Sequence, residues 1–275
     1  MPLITTRDDT DLFVKQWGDS GRDIVLIHGW PLNADSWDDI ALALAQAGHR
    51  VTAYDRRGFG RSDQPWEGYD YDTLADDLAD VIDAAEIEDA LLVGFSMGGG
   101  EVARYLSRHD KANVKQVGLI SSVVPFMLKT ADNPDGVPAD VFAGMKSDIT
   151  ADRAAFLQGF APQFYGNGWI KKAVSQGVLD AFFQTAMMAG LWPTLACVDA
   201  FSSTDFRSDL PAFDLPTLIL HGTDDRTVPI DVSARKAAAA IPHARLIEYE
   251  GAAHGVLATN KDEVTRDLLA FIHEA

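Results

Sequence analysis

A chain of 275 residues, 47% of them hydrophobic, is long enough for one large domain or one domain carrying an insertion, and buries roughly three quarters of its unfolded surface. Its formal charge of −18, from 41 acidic against 23 basic side chains, argues against nucleic-acid and anionic-membrane partners. A single cysteine, Cys197, excludes an internal disulfide and a cysteine-based zinc site, and fits a reducing compartment.

The chain opens on MPLITTRDDT, which has no basic stretch leading into an apolar one. No secretory signal and no membrane span are expected, and the location expected is cytoplasmic. Residues 11–17 (DLFVKQW) alternate like a half-buried strand, whereas Ile24–His28 (IVLIH) is continuously apolar, like a buried one. These first two segments are expected to pair as an antiparallel hairpin at one edge, with Asp8–Asp11 near its turn. A helical pattern follows at 36–47, then a strand at Val51–Tyr54, a helix at 72–86, a strand at Ala90–Phe95, a helix at 97–109 and a strand at Val117–Ser121. The alternation then stops. Residues 124–211 hold DNPDGVPAD and phenylalanine- and methionine-rich helical patterns such as DAFFQTAMMAGLW. It resumes with a strand at Thr217–His221, a helix at 231–240, a weaker strand at Arg245–Tyr249 and a helix at 260–273.

Strands alternating with helices predict an α/β fold, a mostly parallel sheet flanked by helices. The interruption falls between two sheet strands, so it predicts an inserted helical cap over the carboxyl ends of the strands. The expected division is a core of 1–123 and 212–275 with a cap of 124–211.

In such sheets functional groups gather at the carboxyl ends of strands. After Ala90–Phe95 comes G-F-S-M-G, with Gly94 and Gly98 flanking Ser96. Small neighbours let a helix approach the strand closely, and the serine between them is forced into a strained backbone that lifts its hydroxyl above the sheet. The N–H of Met97 points into the same space at a helix N-terminus. Gly99 and Gly100 have no role in that turn and suggest close packing of the helix start. A serine needs a base, and the histidines are His28, His49, His109, His221, His243, His254 and His273. Most fall in or at the ends of helical patterns or loops away from the strand ends, and His28 and His221 read as strand-end loop holders. His254, in YEGAAHG after the last strand, has small neighbours that leave its ring mobile and unobstructed, and is the expected base. For the carboxylate that orients it, HGTDDRTVP offers Asp224 and Asp225, in the order serine, acid, histidine. A second oxyanion donor is expected from HGWPLNADSW, where Gly29 bends the chain, Trp30 presents its N–H and Pro31 removes the next donor. The charges of DRRGFGRSD are expected to be structural. Trp30, Val123, Phe126, Phe160 and Val228 are the expected acyl-pocket residues, from apolar character and position near strand ends or in the cap.

Together these residues resemble the α/β-hydrolase superfamily, and more narrowly bacterial aryl esterases and the cofactor-free, non-haem haloperoxidases (perhydrolases). The likeness lies in HGWPLNADSW, YDRRGFGRSD, VGFSMGGGEVARY, HGTDDRTVP and GAAHG, and continues through the cap in GVPADVF, FYG, VSQGV and STDF. It implies an α/β-hydrolase fold with the helical cap inserted after the sixth strand, and a Ser96–Asp225–His254 triad. The choice of Asp225 rests on the G-x-x-D-x-x-x-P pattern from Gly222 to Pro229. The resemblance further implies small aryl and short-chain esters or lactones as substrates, and water or hydrogen peroxide as acyl acceptor, with no metal, haem or other cofactor. A carbonyl shifted in the Pro31 turn is the feature connected to peroxide use. An amidase or γ-lactamase, a carbon–carbon bond hydrolase and a non-catalytic binding protein of the same fold remain the alternatives. Oligomeric state stays open, since relatives of this kind often self-associate.

Overall fold

The computed structural model describes residues 3–168 and 172–274. The elements in chain order begin with β1 (Leu3–Thr5), β2 (Asp11–Trp17), β3 (Asp23–Ile27), α1 (Asp38–Gln46), β4 (Arg50–Tyr54) and α2 (Tyr71–Ala84). Then come β5 (Ala90–Phe95), α3 (Met97–Arg108) and β6 (Val114–Ile120), followed by α4 (Ala139–Tyr165), α5 (Gln176–Met187) and α6 (Leu191–Ser203). The chain closes with β7 (Thr217–Gly222), α7 (Ala234–Ala240), β8 (Ala244–Tyr249), α8 (Val256–Thr259) and α9 (Lys261–Ile272).

Among the described residues the strands form one eight-stranded sheet in the order β1-β2-β4-β3-β5-β6-β7-β8. From β4 to β8 every pairing is parallel, and β1 and β2 join antiparallel at one edge. The expected hairpin of residues 11–17 with 24–28 does not form. β2 pairs instead with β1 across the Asp8–Asp9 turn, and with β4 on its other side. The reason is burial: β3 is covered on both faces and takes parallel neighbours, β4 and β5, whereas half-exposed β2 suits an outer position.

Alternate side chains of the central strands feed two cores. Ile24, Leu26, Leu91, Val93, Leu218 and Leu220 pack with Ile40 and Leu44 of α1 and Val264 and Leu268 of α9. Val25, Ile27, Leu92, Val117, Leu119 and Ile219 pack on the opposite face with Leu74 and Leu78 of α2 and Val102 and Leu106 of α3. Burial on both faces is why these strands read as continuous apolar runs rather than alternating ones.

Between β6 and β7 lie α4, α5 and α6, with only isolated bridges of strand character among the described residues. α4 is two helical stretches broken at Asp152, whose backbone is extended and whose carboxylate accepts from the Ala155 N–H at 2.9 Å, capping the second stretch. Among the described residues no single helix is long and apolar enough to cross a membrane.

Candidate active site

Strand β5 ends at Phe95 and α3 begins at Met97, leaving Ser96 alone to make the turn. Its φ of 53° and ψ of −117° place a non-glycine residue in a sparsely populated region, a strain of order ~1–3 kcal/mol that the packing around it sustains. Close approach explains the flanking glycines. A Cβ on Gly94 would lie 2.5 Å from the Gly98 carbonyl oxygen, and one on Gly98 would lie 2.5 Å from that of Ile27. Gly99 and Gly100 have separate causes: their Cβ atoms would meet Ser122 Oγ at 2.0 Å and the rings of Phe206 and Tyr71 at 2.5 Å. The helix start is therefore pressed against the loop after β6 on one side and two aromatic rings on the other.

Three strand ends bring the candidate residues together. His254, from the loop after β8, places Nε2 2.9 Å from Ser96 Oγ, and its Nδ1–H donates to Asp225 Oδ2 at 2.7 Å. Asp225 follows β7, and its Oδ1 accepts from the N–H groups of Thr227 (2.9 Å) and Val228 (2.8 Å). His221 Nε2–H donates to the Val228 carbonyl at 2.8 Å and lies 3.2 Å from Asp225 Oδ2. Burial opposes ionisation of Asp225, but the imidazoles of His254 and His221 overcome that penalty and hold its carboxyl below the usual carboxylate range. Asp224 turns outward and pairs with Arg226 at 3.2 Å, with more than half of its side chain exposed.

His254 differs from expectation in one respect. Its chain neighbours are small, yet the ring is 1% exposed, with centroids of Phe95 at 5.2 Å and Phe164 at 4.9 Å. Residues distant in sequence, from β5 and α4, hold the imidazole in place, so it is neither mobile nor unobstructed.

The N–H groups of Trp30 and Met97 have no acceptor among the described residues. The Met97 carbonyl accepts from Tyr71 Oη at 3.0 Å, which fixes the peptide orientation at the helix start. The Trp30 indole donates to the Thr194 carbonyl at 3.0 Å and packs edge-on against Phe160. Beneath this loop lies a buried polar cluster built from YDRRGFGRSD. Arg56 and Glu101 form an ion pair with both side chains at 0% exposure, and Tyr54 Oη donates to Glu101 at 2.7 Å. Arg56 also donates through Nη2 to the His28 carbonyl at 2.6 Å and through its backbone N–H to His28 Nε2 at 2.9 Å. His28 is consequently neutral: burial, then the adjacent Arg56 charge, push its pKa well below the ordinary value. Arg57 pairs with Asp77 and Arg61 with Asp55, so the charges of this segment are structural, as expected.

A cavity of ≈ 400 Å³ opens beside Ser96, lined by Trp30, Val123, Phe160 and Val228 of the expected set. Phe126 is not among its walls. Its ring lies under the Arg207 guanidinium at 5.1 Å, and the next residue, Met127, lines the cavity instead. Consecutive side chains leave an irregular extended segment on opposite sides, a one-residue difference that apolar character cannot resolve. Sequence reasoning also missed Phe142, Met145, Phe156 and Phe201, which come from the inserted helices. The four-residue spacing of Phe156 and Phe160 on one helix face was the available signal.

Residues 24–261 match the family described as alpha/beta hydrolase fold. The chain is similar to a non-heme chloroperoxidase of Kitasatospora aureofaciens, 46% identical over 100% of both chains. It is also similar to a bifunctional esterase/perhydrolase of Acinetobacter calcoaceticus, at 41% identity over 99% of each. Among solved structures, a bromoperoxidase from Bacillus anthracis superposes with a TM-score of 0.95 at 40% identity, covering 98% of this chain and 99% of that one.

Proposed function

The chain belongs to the α/β-hydrolase fold family, and on that premise we propose that it is a serine hydrolase of small aryl and short-chain acyl esters that also perhydrolyses through the same acyl-enzyme. The observation that carries this reading is the unbroken hydrogen-bonded sequence from Asp225 through His254 to Ser96 Oγ, opening into an apolar cavity.

In the proposed mechanism His254 Nε2 takes the proton of Ser96 as Oγ attacks the ester carbonyl. The N–H groups of Trp30 and Met97 stabilise the tetrahedral oxyanion. His254 then protonates the leaving alcohol, and water or hydrogen peroxide, deprotonated in turn by His254, releases the carboxylic acid or the peracid. Asp225 stays ionised throughout, holding the Nδ1–H tautomer and offsetting the charge that develops on the ring. The aromatic walls take the acyl or aryl group, and residues 124–211 act as a cap that keeps bulk water from that part of the site. Cys197 has no part in the chemistry, since burial pushes its thiol up to about 12; a single, buried and inert thiol also fits a cytoplasmic setting.

The reading is tested by 4-nitrophenyl acetate hydrolysis in the wild type and in Ser96→Ala. Full activity in the variant would sink the serine mechanism. For the second activity, acetate, peroxide and bromide are supplied and bromination of an acceptor is followed. Ester hydrolysis without peracid-dependent bromination removes the perhydrolase half and leaves the esterase.

A further inference from the structure

Among the described residues, methionine thioethers occupy different settings. Met127, 1% exposed, and Met145 of α4, partly buried, line the cavity that Ser96 opens into. Met97 adjoins Ser96 in the chain, but its side chain is buried in the core against the sheet rather than at the cavity wall. Met188, at the end of α5, is 40% exposed to solvent.

We propose that Met127 and Met145 are modification sites, oxidised to the sulfoxide by the oxidant that the enzyme makes at Ser96. The proposal rests on the perhydrolase reading above. When hydrogen peroxide attacks the acyl-enzyme, a bond forms between a peroxide oxygen and the acyl carbon. The bond from that carbon to Ser96 Oγ breaks, and the peroxide proton returns to Oγ through His254. The product is a peracid, whose terminal oxygen is electrophilic. A thioether sulfur attacks that oxygen, the O–O bond breaks, and the carboxylic acid departs carrying the peroxy proton. Sulfur is oxidised by two electrons and the peracid is reduced by two, with no further reagent.

The enclosure makes the reaction selective. An oxidant arriving from bulk solvent meets Met188 first, because Met127 offers it almost no surface. A peracid released at Ser96 starts inside the cavity of ≈ 400 Å³ of which Met127 and Met145 are walls. The consequence is chemical feedback. A sulfoxide is larger and far more polar than a thioether, so a wall that carried apolar groups becomes one they must desolvate, and the binding of apolar acyl and aryl groups weakens. Perhydrolysis thereby limits itself, while hydrolysis in the absence of peroxide does not.

The test incubates wild type and Ser96→Ala with acetate and peroxide, follows bromination of an acceptor, and maps added oxygen by peptide mass spectrometry. Expected in the wild type is one oxygen on Met127 and on Met145, rising with turnover. Met188 is expected to be oxidised equally in both proteins, and Met97 in neither. KM for an aryl ester should rise by about tenfold in the oxidised enzyme, and methionine sulfoxide reductase should reverse it. The double variant Met127→Leu/Met145→Leu should keep its own starting KM through the same number of turnovers. Bromination with both thioethers unmodified overturns the inference, as does equal oxidation of Met127 and Met145 in Ser96→Ala. Absence of bromination in the wild type instead overturns the perhydrolase reading and the inference with it. Preformed peracetic acid added in bulk to Ser96→Ala is expected to oxidise Met188 ahead of Met127 and Met145, and equal oxidation of all three there would overturn the claim that the enclosure makes the reaction selective.

Discussion

Replacing Glu101 by glutamine should destabilise the protein and slow its chemistry together. Glu101 sits on α3, the helix that follows Ser96, and among the described residues its only charged hydrogen-bonding partner, Arg56, is as fully buried as it is. Burial pushes the Arg56 pKa down and the Glu101 charge more than reverses that, so the guanidinium stays protonated. Glutamine removes the counter-charge and presents an amide donor where two donors, Arg56 and Tyr54, already converge. Breaking one side of a buried pair costs about 3–5 kcal/mol. At about 2 °C per kcal/mol for a chain of this size, Tm should fall by roughly 5–10 °C. Arg56 also anchors the His28 carbonyl, two residues before Trp30, the oxyanion donor proposed above. A small displacement there should lower kcat by roughly tenfold to a hundredfold with KM little changed. Thermal unfolding and 4-nitrophenyl acetate kinetics provide the readouts, alongside the single variant Arg56→Met and the double variant Arg56→Met/Glu101→Gln, which removes both charges and closes the cycle. The double variant should recover part of the stability, with a coupling energy of at least ~1 kcal/mol. A loss below ~1 kcal/mol in Glu101→Gln, the size of an exposed pair, or additivity in the double variant, would refute the reasoning.

Asp225→Asn should lower kcat by about 10⁴-fold, because the amide no longer selects the Nδ1–H tautomer of His254; a loss below about tenfold would show that another group orients the ring. Gly99→Ala brings a Cβ to 2.0 Å from Ser122 Oγ and should destabilise by about 1–3 kcal/mol in denaturant unfolding, whereas an unchanged midpoint would mean the loop after β6 yields freely. His28 is neutral when folded and takes up a proton when unfolded, so its folded-state pKa lies below the unfolded value of about 6.5. The unfolded state then binds more protons below that pH, and stability falls as pH falls, by up to about 1.4 kcal/mol per pH unit. Urea unfolding between pH 7 and 5 should give a flatter slope for His28→Gln than for the wild type, and parallel slopes would show that His28 is protonated in the fold.

Much of the active site is written at short range. The strained turn at Ser96 demands small residues on both sides, so Gly94 and Gly98 announce it in the chain itself. The order of Ser96, Asp225 and His254 along the chain follows from which strand ends carry them. Continuous apolar runs separated by helical periods likewise specify a parallel sheet covered on both faces, because burial and periodicity are local properties. What the tertiary structure decided depends on residues far apart in sequence. The company of β2 was decided by which strand could accept neighbours on both edges. The stillness of His254 comes from Phe95 and Phe164, 159 and 90 positions away. Ser122 and Phe206 account for Gly99 and Gly100, and the exchange of Phe126 for Met127 at the cavity wall turns on the direction of a single side chain. Steric demands within a turn leave their mark on adjacent residues, whereas packing between distant segments depends on the path of the whole backbone, which no short stretch of sequence contains.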